Sequence, residues 1–209
     1  MTATPSRMTR KTAATREAII GAARELLDEG GPEALTLPAV SERADVAVQT
    51  IYNRVGGRDA LLMTVAERAM EANRVYLDAA YAQPGSAVQR VLGAAEAYVR
   101  FAKERPHEFR LLTQTSSGSP AFERIADLLD EQTGRLADAI ADGIAEGAVR
   151  PDIDPRTTAT VLWAAVSGVI ALSWRADRHR ADPDVLLPLL AAAVGEGLLN
   201  PNPDEQKCR

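Results

Sequence analysis

Apolar positions recur every three to four residues along most of this chain, which is the period of helices packed on one face. Over residues 15–29, Ile19, Ile20, Ala23, Leu26 and Leu27 fall on a single stripe. Thr15 is a suitable N-cap, and Gly30-Gly31-Pro32 is a stop signal. A second helix is expected after Thr36, with Pro38 in its first turn and Leu37, Val40 and Ala44 inward. Asp45 ends it and Val46 packs inward. A third helix over residues 47–55 puts Val48, Ile51 and Val55 on or near its inner side, and Gly56-Gly57 closes it. The link between the second and third helices is only a few residues long, as a helix-turn-helix requires. Gln49, Thr50, Tyr52, Asn53 and Arg54 then face outward to varying degrees, a polar surface suited to a DNA groove.

The remaining three quarters read differently, as long helices. The fourth begins at Arg58 and reaches Tyr81; Pro84-Gly85 breaks the chain. Ser86 can cap a fifth, whose inner stripe is Val88, Val91, Leu92, Ala95, Tyr98, Val99 and Ala102. Pro106 ends it, a short helix follows over 108–113, and 115–120 is a loop by composition. A seventh helix carries Ile125, Leu128, Leu129, Leu136, Ile140 and Ile144. Asp154-Pro155 and Asp182-Pro183 start the eighth, to about 177, and the ninth, to about 199. Pro188 is expected to kink the ninth helix or delay its start. No period-2 strand is found, so the fold class is all-α with about nine helices.

Composition agrees: 209 residues with 46% hydrophobic side chains can build a full core. The net charge of -5 argues at first against nucleic acid, but placement matters more than the sum. Before Glu17 stand Arg7, Arg10, Lys11 and Arg16 with no acidic residue, either a solvated tail or an arm that orders on phosphates. Residues 1–60 hold eight Lys/Arg and eight Asp/Glu, so any DNA affinity must come from local placement. Cys208 is the single cysteine and excludes an internal disulfide or a cysteine zinc cluster. With no apolar signal core, a cytoplasmic location is expected. Residues 157–174 carry no charge, at the lower edge of a membrane span. Their Thr, Ser and Gly content, and the lack of a second such segment, favour a helix buried in a bundle or subunit interface.

No catalytic or cofactor chemistry is evident. His107 and His179 lack metal-ligand spacing, and Asp127, Asp130 and Glu131 read as a wet helical face. No nucleophile with a base can be named, so neither an enzyme nor a cofactor is expected.

By Leu62 the chain resembles the TetR family of bacterial one-component transcriptional regulators. The resemblance rests on Arg16, Ile19, Ala23 and Leu27, on Gly30, Thr36 and Leu37, and on Val40, Ala44, Val46, Thr50, Ile51 and Tyr52. Arg58-Asp59-Ala60-Leu61-Leu62 completes it. Asp45 replaces a usual turn glycine, Val55 a common aromatic and Arg58 a usual lysine, while Pro38 occupies a site where some members read bases. Further on, Tyr98 to Ala102, Pro106 to Phe109, and Trp163 with Ser167-Gly168 look like a subgroup with a Trp-…-His-Gly signature, Ser167 taking the histidine's place.

The resemblance implies that the third helix lies in the major groove. Gln49 and Asn53 have the paired donors and acceptors to meet base edges, and Val48 can touch a thymine methyl. Thr36, Thr50, Tyr52, Arg54 and Arg58, with Arg10 and Lys11 from the arm, suit phosphates. One such unit makes too few contacts, so a homodimer on a pseudo-palindromic double-stranded operator is expected. Val166, Val169, Ile170, Leu187, Leu190 and Val194 on the last two helices are the expected dimer interface. Tyr98, Phe101, Phe109, Phe122 and Trp163 are candidate walls of a cavity for a small, largely apolar effector. The expected division is a basic flexible arm (1–14), a helix-turn-helix DNA-binding domain (15–57), a ligand-binding and dimerisation domain (58–199) and a disordered tail (200–209). The expected function is repression relieved by that effector; a ligand-independent architectural DNA binder and a helical enzyme are the alternatives.

Overall fold

The computed structural model describes residues 7–113 and 120–201. Among them are nine α-helices and no strand, only one isolated bridge between Val149 and Leu199. Pro120, the end of the expected loop over 115–120, begins a helix; the rest of that loop, the Phe122 side chain and most of the expected tail lie outside the described residues. The described residues form two compact units, 7–72 with 105–113 and 120–128, and 73–104 with 129–201.

In the first unit, α1 (Arg7–Ala34) buries Ile19, Ile20, Ala23, Leu26 and Leu27. It starts eight residues earlier than the pattern suggests, so residues 7–14, expected in the arm, are helical. The reason is local: the Thr15 hydroxyl donates back to the Lys11 carbonyl at 3.0 Å, an interior helical bond, and does not cap. Gly31 takes a left-handed φ of 69° ahead of Pro32, and one further turn follows to Ala34. α2 (Leu37–Arg43) is capped by Thr36, whose hydroxyl accepts from Ala39 N at 3.3 Å. The link to α3 (Val48–Arg54) turns at Asp45, which adopts φ 51°. Ser41 holds the turn, donating its hydroxyl to Val46 O at 2.5 Å and accepting Val46 N at 3.1 Å on its carbonyl. The beginning of α4 (Arg58–Tyr81) buries Leu61, Leu62, Val65 and Ala69, and α6 (Pro106–Thr113) packs on α1 through Phe109, Leu111 and Leu112.

The second unit holds the rest of α4, α5 (Ala87–Glu104), most of α7 (Pro120–Ala145), α8 (Pro155–Ser173) and α9 (Pro183–Leu198). A capping box opens α5: the Ser86 hydroxyl accepts Gln89 N at 3.3 Å while Gln89 Oε1 accepts Ser86 N at 2.9 Å. Asp154 caps α8 by accepting Thr157 N at 2.8 Å, and Asp182 caps α9 by accepting Asp184 N at 2.9 Å. α9 starts at Pro183, not later, and runs on past Pro188 as one helix. The only donor lost there is the one that would meet Asp184 O, in the second turn. α8 packs on α5 and α9. By length and composition it could cross a membrane; within one chain only Ala159 and Ile170 of its residues are buried.

Candidate nucleic-acid interface and effector cavity

Burial of Ile51 fixes the roll of α3. Gln49, Tyr52, Asn53 and Arg54 are therefore exposed, Tyr52 to 52%, while Val48 and Thr50 are half-buried at the edges. Gln49 Nε2 donates to Asn53 Oδ1 at 3.2 Å, so the two amides form one outward-facing couple. Its remaining Gln49 oxygen and Asn53 amino group, an acceptor and a donor one turn apart, match the pattern of adenine in the major groove. Thr36, Arg10 and Lys11 are also exposed, the last two on the first turns of α1.

Arg58, expected at phosphates, makes two bonds within the chain. Its Nε donates to Leu35 O at 2.8 Å and its Nη2 to Pro32 O at 2.6 Å, so the guanidinium serves carbonyls at the C-terminal end of α1. Arg43 is also committed, paired with Glu29 at 2.8 Å and Glu25 at 3.3 Å. The hydrogen bonds from Arg43 hold the Glu29 carboxyl below its usual range. In the same unit, Asp28 sits 3.9 Å from His107 Nδ1, and its Oδ1 is buried without a hydrogen-bond partner. Desolvation pushes the Asp28 carboxyl above its ordinary value.

The second unit contains a cavity of about 830 Å³. Its walls are mainly aliphatic, including Val88, Val91, Leu136, Ile140, Leu162 and Leu190. Much of the α5 stripe that reads as core is thus cavity wall. Of the five aromatic candidates, Tyr98 and Trp163 line the cavity. Phe101 is buried beside it against Tyr76, with ring centroids 5.6 Å apart, and Phe109 belongs to the first unit. Trp163 Nε1 donates to the Tyr98 hydroxyl at 3.0 Å, and that hydroxyl meets Ser167 Oγ at 3.1 Å. Burial pushes the Tyr98 hydroxyl up, partly offset by these bonds. Tyr81 and Gln132 also line the cavity and were not anticipated. The signal for Gln132 was present: it interrupts the apolar stripe of α7 between Leu129 and Leu136.

The expected dimer residues divide. Val166, Leu187, Leu190 and Val194 line the cavity within one chain, Ile170 is buried and Val169 is half-buried. The outward face of α8 instead carries Thr157, Val161, Ala164, Gly168 and Leu172, and that of α9 carries Val185, Leu189 and Ala192. Val161 and Val185 are 58% exposed and Leu189 64%. A Cβ added at Gly168 would meet nothing within 4 Å.

Two family models match the chain. Bacterial regulatory proteins of the tetR family match residues 19–65, and the tetracyclin repressor-like C-terminal domain matches residues 91–194. No curated protein matched. Among solved structures, a regulator from Saccharomonospora viridis in complex with choline is 17% identical with a TM-score of 0.76, covering 90% of this chain and 99% of that one. A tetR-family regulatory protein from Rhodococcus RHA1 is 21% identical with a TM-score of 0.67, covering 87% and 93%. The ketosteroid transcriptional regulator KstR2 of Mycobacterium tuberculosis is 15% identical with a TM-score of 0.67, covering 88% and 95%.

Proposed function

Since the chain belongs to the TetR family of DNA-binding transcriptional regulators, we propose that it is a sequence-specific repressor that leaves its operator when a small, largely apolar molecule fills the cavity of the second unit. The observation that carries the reading is the exposed Gln49–Asn53 couple on the outward face of α3, one short turn after α2. Neither amide has a structural task in the core, and both have the groups that base edges require. Tyr52, Arg54, Thr36, Arg10 and Lys11 supply phosphate contacts around that couple.

Two chains act together in this reading. The outward faces of α8 and α9 join a second copy, placing two α3 helices on half-sites about 34–36 Å apart or a multiple of that. The effector needs to favour the released state by only about 1–3 kcal/mol. Structural relatives include a regulator in complex with choline and a ketosteroid regulator, and a small organic effector fits that range of chemistry. Selection of bound duplexes from a random pool tests the reading. The expected product is one pseudo-palindrome, enriched by the wild type; recovery of duplexes without a common sequence would overturn it.

A further inference from the structure

One wall residue of the cavity carries a buried polar atom left without a partner, and it identifies the chemistry of the effector; this rests on the reading of the cavity as the effector site. Most polar side chains of the wall already have partners. Trp163 and Tyr98 are bonded to each other and to Ser167, and Thr133 donates to Leu129 O at 3.1 Å. Lys103 is paired with Asp184 at 2.6 Å, Arg100 lies 5.4 Å from the Tyr76 ring centroid, and Tyr76 donates to Glu104. Glu96 is exposed to solvent.

Gln132 is different. Its Oε1 accepts from Asn73 Nδ2 at 3.1 Å, but its Nε2 is buried without a partner, as is Asn73 Oδ1. Asn73 is only 1% exposed, at a position of α4 that continues the apolar stripe of Ala69 and Leu77. Two amides thus stand in core positions of two helices, joined by a single bond. An unpaired buried amide is costly, and a binding partner that satisfies it recovers that cost. Beside it, Arg135 on the next turn of α7 lies over the ring of Tyr81, a second polar wall residue. Burial pushes the Tyr81 hydroxyl up to about 12, so it remains a neutral donor at physiological pH. Lys103 is paired with Asp184 and Arg100 is exposed, so a carboxylate in the aliphatic part would lose hydration without gaining a counter-charge there.

We propose that the effector is an uncharged, mainly aliphatic molecule bearing a carbonyl oxygen, and that this oxygen accepts a hydrogen bond from Gln132 Nε2. The aliphatic body lies along α5, α7, α8 and α9. Gln132 acts as the specificity-determining residue, and Asn73 holds its amide in place.

The test uses 2-octanone, octane and octanoate as probes with the full chain free of DNA. Trp163 and Trp174 are the two tryptophans, so a Trp174→Phe background leaves Trp163 on the cavity wall as the fluorescent reporter. Gln132→Met is expected to weaken 2-octanone about tenfold while changing octane by less than about twofold. Octanoate is expected to bind the unchanged cavity more weakly than 2-octanone. The infrared carbonyl stretch of ¹³C-labelled 2-octanone needs no cavity variant, and on binding it should fall below its value in hexane. The proposal is overturned if 2-octanone does not bind at millimolar concentration, if Gln132→Met weakens ketone and alkane alike, if octanoate binds more tightly, or if the bound carbonyl stretches as in hexane. These readouts are independent of DNA. A ketone that binds through Gln132 yet leaves a selected operator occupied would sink the release mechanism and leave the ligand class standing.

Discussion

Gln49 and Asn53 were legible as candidate base readers because their exposure follows from where Ile51 must point. Nothing but the helical period is needed for that step. Gln49→Ala removes one side of the amide couple and is expected to cost about 1–3 kcal/mol per half-site while relaxing sequence preference. Titration of a selected duplex and its single-base variants checks this; an unchanged profile would remove Gln49 from the reading surface. Asp28 is a residue whose behaviour sequence could not show, because its surroundings come from α6. Its carboxyl is raised above 3.8, chiefly by desolvation. The folded state therefore holds that proton more tightly than the unfolded chain does. Asp28 carries no penalty below about pH 3.8, and its destabilising effect develops as pH rises through the folded value. Asp28→Asn is expected to raise the melting temperature at pH 7, with the gain shrinking as the pH falls toward 4. A gain independent of pH, or a loss at pH 7, would contradict that assignment.

Element boundaries were legible where a side chain uses its capping group locally, as Thr36, Ser86, Asp154 and Asp182 do. They were not legible at Thr15, whose hydroxyl turns back to Lys11 and leaves the helix to continue toward Arg7. The position of Arg58 was equally hidden, since its acceptors Leu35 and Pro32 lie 23 and 26 residues away. That guanidinium ties the first turn of α4 to the carbonyls that follow the Gly31 break in α1. With its side chain 40% exposed, solvent screens part of the benefit. Arg58→Ala is expected to lower the stability of the chain by about 1–2 kcal/mol in urea unfolding. Arg58→Lys should recover less than half of the loss, because an ammonium lacks the fork that reaches both carbonyls. Full recovery by lysine would mean that charge alone matters at this position.

At the scale of the whole molecule, an apolar pattern does not say which surface it will meet. Val166, Leu187, Leu190 and Val194 are as hydrophobic as an interface requires, yet in one chain they face the cavity. The core, a ligand and a second subunit all ask for the same side chains, so periodicity alone could not separate them. Exposure separates them. Val161 and Leu172 on α8, with Val185 and Leu189 on α9, remain uncovered, and small residues such as Ala164 and Gly168 lie between the larger ones on α8. Stable dimers commonly bury about 1,600 Å² in total, which two helices from each chain can supply. A charge at the centre of that face would be desolvated without a partner. Leu189→Glu is therefore expected to sediment at the mass of one chain, while the wild type sediments at the mass of two. Its helical circular dichroism should be retained, because Leu189 is largely exposed within the single chain. Loss of the second copy removes the fixed spacing of the two α3 helices, so affinity for a two-half-site duplex should fall toward that for a single half-site. A Leu189→Glu protein that stays dimeric at micromolar concentration would place the subunit contact elsewhere, whereas Val166→Glu, aimed at the cavity wall, should disturb probe binding before it disturbs the sedimenting mass.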